Sequence, residues 1–256
     1  MAKTRTAGLS GTIRRANDYP TRAIILAAGK GRRLEPNTLE TPKPLLKVAG
    51  RPMLETILLA LNAARVHQTT IVVSHLAEQI MDFVGDGSKW NMAVHFEFQR
   101  NTLGTADALK VAADQLVEPC FVLAADYALP MSYLLDLKQH YQADIADLAI
   151  SLKEIPKAEV KYRSTVHLNE KGEIIKIVEK PTVDVESDQL GATLIYIVPP
   201  EIKHFFDQVQ LSPRNEYEIQ DLVQLMIDHG FIAKGLIQDA PRERTSGDNH
   251  RFRGLG

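Results

Sequence analysis

The chain has 256 residues and sets 30 Lys and Arg against 32 Asp and Glu, for a formal net charge of −2. That length suits one large domain with a sizeable core, and so even a balance gives no overall basic field to hold a nucleic acid. A single cysteine, Cys120, excludes an intramolecular disulfide and any Cys-based zinc spacing, and no run approaches the roughly 20 apolar residues of a membrane span, so a soluble cytoplasmic protein is expected, without membrane or nucleic-acid partners.

Residues 1–20 carry Lys3, Arg5, Arg14 and Arg15 but lack the continuous apolar run of a secretory signal, and are expected to be a flexible extension. From 21 to about 240 the pattern is that of one domain. Ala23-Ile24-Ile25-Leu26-Ala27-Ala28 reads as a strand buried on both faces and stops at Gly29. A helix follows Pro52, with Met53, Ile57, Leu58 and Leu61 at helical spacing, and Thr70 to Val73 supplies the next strand. Leu76 to Val84 reads as a helix, Val94 to Phe98 as a strand, Thr105 to Leu116 as a helix and Cys120 to Ala124 as another buried strand. Such alternation predicts a Rossmann-like α/β fold: a mostly parallel sheet flanked by helices, with ligands beyond the carboxyl ends of the strands, here at Gly29 and Asp126.

From Leu148 the texture becomes more polar-alternating. Leu148 to Leu152, Ser164 to Leu168, Ile174 to Val178 and Leu194 to Val198 read as strands that add an antiparallel portion forming one wall of the pocket. Helices return at Pro200 to Phe206 and Glu216 to His229, a strand is expected over Ile232 to Ile237, and residues 241–256 are expected to be an irregular tail. There is no internal repeat.

Leu26-Ala27-Ala28-Gly29-Lys30-Gly31-Arg32-Arg33-Leu34-Glu35-Pro36, followed by Thr41-Pro42-Lys43-Pro44-Leu45-Leu46 and Gly50-Arg51-Pro52, carries the chemistry. A strand that runs into small residues and two glycines lets backbone N–H groups approach a phosphate or base edge, and Lys30, Arg32, Arg33 and Lys43 bring enough positive charge to neutralise a triphosphate. A Walker loop is excluded because Gly31 precedes Arg32, and a dinucleotide fingerprint because Leu34 stands where the third glycine belongs. A glycine-rich turn with solvated basic residues would also satisfy the composition.

These residues resemble the sugar-1-phosphate nucleotidyltransferase family, whose signature is L-A-A-G-x-G-x-R-L-x-P followed by P-K-P-L and G-x-P. The resemblance implies an enzyme that joins a nucleoside triphosphate to a hexose 1-phosphate and releases pyrophosphate with Mg²⁺ as cofactor. It assigns Arg33 to the triphosphate and Lys43 to the reacting phosphates, with Leu26, Ala27, Ala28, Gly29 and Gly31 against the nucleotide. Gln99, Gly104 and Thr105 fall where the family reads its base. Glutamine there goes with uridylyl and thymidylyl types, so UTP or dTTP is expected; an exposed strand-end Gln before a helix cap is the plain alternative.

Asp126 matches the family's metal aspartate, although a strand-end Asp also serves as a turn residue. Glu179-Lys180-Pro181 matches an E-K-P element that holds sugar hydroxyls and the sugar phosphate, and Thr193 lies on the same side. Glu216-Tyr217-Glu218-Ile219-Gln220-Asp221 resembles the family's E-Y-x-I-x-D helix start. Relatives carry a second metal aspartate after a Trp near the end; the sole Trp here is Trp90, and Asp239 takes that assignment as the acid beyond the last strand. The sugar side also departs from relatives at Arg163-Ser164, where Tyr-Gly is common. A catalytically silent nucleotide-sugar-binding regulator, a transferase for a phosphorylated non-sugar alcohol, and homo-oligomerisation all stay open at this stage.

Overall fold

A computed structural model describes residues 19–143, 146–181, 187–239 and the short strand 242–243. Its strands are β1 (Arg22–Leu26), β2 (Lys47–Val48), β3 (Arg51–Pro52), β4 (Gln68–Val73), β5 (Ala93–Phe98), β6 (Cys120–Ala124), β7 (Tyr127–Ala128), β8 (Leu148–Ile155), β9 (Ser164–Leu168), β10 (Glu173–Glu179), β11 (Gln189–Val198), β12 (Ala233–Ile237) and β13 (Arg242–Glu243). The α-helices are α1 (Asn37–Glu40), α2 (Met53–Ala63), α3 (Ala77–Val84), α4 (Thr105–Val111), α5 (Tyr133–Ala143) and α6 (Ile219–Asp228).

One sheet runs through the molecule in the order β5-β4-β1-β6-β11-β8-β12-β10-β9. Its first four strands are parallel, as expected of buried apolar runs joined by helical crossovers. Beyond β6 the sheet becomes mixed. β11 lies antiparallel between β6 and β8, β12 is parallel to β8, and β10 and β9 continue antiparallel at the edge. The added strands therefore extend the same sheet, and β6, β8 and β12 all point their carboxyl ends to one edge.

Alternation along β1 explains why both faces are covered. Ala23 and Ile25 pack with Leu54, Leu58 and Leu61 of α2 and Leu134 and Leu137 of α5. Ile24 and Leu26 face the other way, into a second core with Leu109 of α4, Leu222 and Met226 of α6, and Phe205. A period of 2 sends neighbouring side chains to opposite faces, so an all-apolar strand needs helices on both sides.

Several expectations shift in detail. The helix expected over Thr105 to Leu116 ends at Val111, with a 3-10 turn from Ala113 to Gln115, and Pro200–Gln208 is 3-10 rather than α. The helix expected from Glu216 starts at Ile219, because Glu218 is extended and Tyr217 is paired outside the helix: its N–H donates to the Leu103 carbonyl at 2.7 Å and its carbonyl accepts from Ala106 at 2.9 Å. Helix α5 had no sequence expectation. Within the tail expected to be irregular, Arg242–Glu243 pairs antiparallel with Tyr127–Ala128, immediately after Asp126. Residues 1–18 of the expected extension, and 241 and 244–256 of the tail, lie outside the described residues.

Candidate active site

The carboxyl edge of β1 and β6 gathers the first group of predicted residues. Leu26, Ala27 and Ala28 are buried, with the Ala27 N–H bonded to the Val72 carbonyl at 2.8 Å and the Leu26 carbonyl accepting from Ala125 at 3.1 Å. They set the end of β1 firmly against β4 and β6. Gly29 then emerges into solvent, and a Cβ built there would meet nothing within 4 Å. No packing requirement in the described chain explains this glycine; unobstructed approach to the backbone is what it offers.

Gly31 differs. Its φ of +64° and the Thr38 methyl 2.9 Å from a would-be Cβ show a fold requirement, and Thr38 donates its hydroxyl to the Gly31 carbonyl at 3.0 Å. The loop then turns through a 3-10 segment, Arg32–Leu34, and the side chain of Arg33 lies outside the described residues. Lys30 and Arg32 are exposed. Pro42 starts a second 3-10 turn, Lys43–Leu45, that sends the Lys43 ammonium to Asp126, with Nζ 2.5 Å from Oδ2.

Asp126 itself is instructive. While Oδ2 takes the lysine, Oδ1 is buried without a hydrogen-bond partner among the described residues. A buried unpaired carboxylate oxygen costs about 1–3 kcal/mol, so it marks a place where a ligand or ion is wanted. A hard anionic oxygen of this kind fits Mg²⁺, which needs only one or two protein carboxylates because waters and substrate phosphates complete its shell. Asp239 follows the carboxyl end of β12 on the same sheet edge and is exposed. Among the described residues no cluster of three or more metal-ligating side chains forms.

Gln99, Gly104 and Thr105 also come together. Gln99 is buried and donates Nε2 to the Asp107 Oδ2 at 2.6 Å and to the Gly104 carbonyl at 3.2 Å. A cavity of about 270 Å³, lined by Phe98, Arg100, Asn101 and Leu103, opens beside Gln99 and Asp107. Gly104 has φ +116°, and a Cβ there would fall 2.5 Å from the Tyr217 carbonyl oxygen. Contact with Tyr217 is thus sufficient to demand this glycine. Thr105 accepts the Ile219 N–H on its hydroxyl at 3.0 Å and so caps α6.

The sugar-side residues form a separate and denser network. Glu179 ends β10 directly opposite Ser164 of β9. Its Oε2 accepts the Ser164 hydroxyl, and Gln220 donates Nε2 to that same hydroxyl oxygen at 3.0 Å. Its Oε1 takes Lys180 at 3.2 Å and Arg214 at 3.3 Å. Arg214 also grips Glu218 at 2.5 Å. Burial pushes the Glu218 carboxyl above the usual carboxylate range, against the lowering pull of Arg214, and burial together with the Glu179 charge raises Asp221. Thr193 is 1% exposed and donates its hydroxyl to the Ser151 carbonyl at 3.1 Å, so in this arrangement it serves the sheet interior rather than an open face.

Sequence reasoning did not single out Arg214, Ser164 or Gln220 as partners of Glu179. In the sequence Ser164 and Gln220 stand out only as motif positions, and a charge-rich Arg214-Asn215-Glu216 run is unremarkable on a surface loop. Only the meeting of β9, β10 and α6 gives them a common target.

The family described as nucleotidyl transferase matches residues 22–240 of the chain. A glucose-1-phosphate thymidylyltransferase from Streptomyces griseus is 32% identical over 209 residues, covering 82% of this chain and 58% of the relative. A UTP–glucose-1-phosphate uridylyltransferase from Haloferax volcanii is 31% identical over 208 residues, covering 81% and 84%. The fold matches a UDP-glucose pyrophosphorylase crystallised with UDP-glucose, with a TM-score of 0.72, 20% identity and coverage of 89% of this chain and 94% of that one. The chain spans less than two thirds of the length of several curated relatives it matches. The match to residues 22–240, over the same strand ends that bring Gly29, Lys43 and Asp126 together, shows that this chain belongs to the nucleotidyl transferase family.

Proposed function

We propose that the chain transfers a nucleotidyl group from a nucleoside triphosphate, UTP or dTTP, to a hexose 1-phosphate, giving a nucleoside-diphosphate sugar and pyrophosphate. The observation that carries this reading is the Lys43 ammonium, 2.5 Å from Asp126, at the strand ends where Gly29 leaves the backbone open. Such an arrangement offers cation and backbone donors to a phosphate chain without any nucleophilic side chain. The phosphate oxygen of the sugar 1-phosphate attacks the α-phosphorus in line; the bond from that phosphorus to the bridging oxygen breaks, and pyrophosphate leaves. Chemistry of this kind is catalysed chiefly by positioning and by cations on the developing oxygen charge.

In this reading Lys43 exchanges part of its bond to Asp126 for the reacting phosphates, and Arg33 contributes a second cation, on the strength of its place in the signature. Gln99 faces the base, while Glu179 and Lys180 receive the sugar hydroxyls and the sugar phosphate. Asp126, through its unpaired Oδ1, and Asp239 would hold Mg²⁺, which supplies charge neutralisation at the phosphate oxygens. A single, fully buried cysteine and no helix long and apolar enough to cross a membrane, among the described residues, support a cytoplasmic setting.

The direct test is pyrophosphate release from a panel of nucleoside triphosphates crossed with hexose 1-phosphates, with and without Mg²⁺. Metal-dependent turnover with a uridine or thymidine triphosphate is the expected result. Tight nucleotide binding without turnover on every pair would instead identify a silent homologue, and turnover only with phosphorylated non-sugar alcohols would move the acceptor class.

A further inference from the structure

The two ends of the Gln99 side-chain amide differ in chemistry, and only one end is engaged. Nε2 donates to Asp107 Oδ2 at 2.6 Å and to the Gly104 carbonyl at 3.2 Å. A carboxylate and a backbone carbonyl are acceptors only, so the NH₂ group must face them. This pair of partners removes the usual ambiguity between the oxygen and nitrogen of a glutamine amide. Oε1 is left as the unengaged end of Gln99 among the described residues. Turning the amide over would press Oε1 against two acceptor oxygens at hydrogen-bond distance, in a side chain that is 4% exposed.

Asp107 is in turn held by its helix. It stands in the first turn of α4, which is fastened by the Ala106 N–H on the Tyr217 carbonyl at 2.9 Å and by the Ile219 N–H on the Thr105 hydroxyl at 3.0 Å. Gly104, the other acceptor, is packed against the Tyr217 backbone. Both acceptors thus belong to a fixed frame that cannot follow a turning amide.

We propose that Asp107 is a positioning residue that locks Gln99 with its oxygen available to the nucleobase. The site then accepts bases that carry a ring N–H on their pairing edge, which uracil, thymine and guanine do. It refuses cytosine and adenine, whose corresponding ring nitrogen is itself an acceptor. This rests on the reading that Gln99 faces the base. An acceptor brought against a locked acceptor leaves both unpaired, the situation in which polar sites discriminate most strongly.

The test is kcat/KM for UTP, dTTP, GTP, CTP and ATP with a hexose 1-phosphate, in the wild type and in Asp107→Leu and Asp107→Asn. The wild type is expected to favour UTP or dTTP over CTP and ATP by at least about 100-fold. Asp107→Leu frees the amide to turn and lowers that ratio by about tenfold or more through the nucleotide KM, leaving the KM for the sugar phosphate unchanged. Asp107→Asn, whose side-chain oxygen can still accept from Nε2, stays within about threefold of the wild-type ratio. If Asp107→Leu does not fold, Asp107→Ser, too short to reach Nε2, carries the same expectation. An unchanged ratio in the Leu or Ser variant, loss of the ratio in the Asn variant, or a wild type that prefers CTP or ATP overturns the positioning role while leaving the transferase reading in place. A wild type that turns over no triphosphate overturns both.

Discussion

Where a triphosphate would lie, the wall is backbone at the ends of β1 and β6 with one ion pair, Lys43 to Asp126, and an uncovered Gly29. Where a sugar would lie, the wall is side chains: Glu179, Lys180, Ser164, Arg214 and Gln220, already bonded to one another. The first wall is open and underused, with a carboxylate oxygen left without a partner among the described residues. The second is closed and largely satisfied. An open wall spends stability to keep groups ready for a ligand, whereas a closed one fixes the geometry of a recognition surface and must loosen or be re-partnered to bind. Substitutions should accordingly separate activity from stability on the first wall and couple them on the second.

The largest separation is expected at the ion pair. Lys43→Ala or Asp126→Asn should lower kcat by about 10²–10³-fold, as loss of one group that stabilises developing charge does. Because both side chains are partly exposed, the pair itself contributes about 1 kcal/mol or less, and the melting temperature should hardly move. Activity within a few-fold of wild type in both variants would remove the open wall from the chemistry.

Two glycines give the next contrast. Gly104→Ala faces both a φ of +116° and the Tyr217 backbone, so it should cost at least about 1–3 kcal/mol in denaturant unfolding. Gly29→Ala faces open space and lies outside the left-handed region, so its stability should change by about 0.5 kcal/mol or less while the nucleotide KM rises. Equal stability losses at the two sites would mean that Gly29 is also a structural residue.

The same contrast explains what could be read without coordinates. The phosphate wall is contiguous in sequence, Leu26 to Pro52, because a backbone cradle needs neighbouring glycines and a nearby cation; such a requirement leaves a compact signature. Alternating apolar strands and helices likewise announced the parallel half of the sheet. Ser164, Arg214 and Gln220 were hidden because they come from β9, a loop and α6, and nothing local in any of those segments names Glu179 as the common partner. Gly104 was legible as a special position but for a reason that only tertiary structure supplies, the Tyr217 backbone beside it. Thr193 shows the converse: a small polar residue near the sugar-side motifs whose hydroxyl is committed to the Ser151 carbonyl within the sheet.

On the closed wall, Ser164→Ala should give a smaller and more selective effect. It removes the hydroxyl that links Gln220 to Glu179, so among the described residues the carboxylate keeps only Lys180 and Arg214 on its other oxygen. The KM for the sugar phosphate is expected to rise about tenfold, the scale of one hydrogen bond to a charged group, with the nucleotide KM unchanged. A parallel rise in both Michaelis constants would show that the serine supports the fold of the whole edge instead of orienting Glu179.

The smallest effect separates two carboxylates that share a pKa direction. Asp221 is raised above its ordinary 3.8, first by burial and then by the Glu179 charge, and it makes no ion pair among the described residues. A raised carboxyl contributes its full stability below the ordinary value and loses it as pH climbs through the folded-state value, so burial of Asp221 costs stability above that range. Asp221→Asn removes that cost and should raise the melting temperature at pH 7 by about 1–3 °C, with the gain fading as the pH is lowered towards 4. Glu218 is also raised by burial, yet it holds Arg214 at 2.5 Å. Glu218→Gln should therefore lower the melting temperature at pH 7, because a guanidinium loses its charged partner. Opposite signs at neutral pH identify the ion pair as the deciding interaction; a gain in both variants would mean that desolvation outweighs Arg214 throughout the sugar wall.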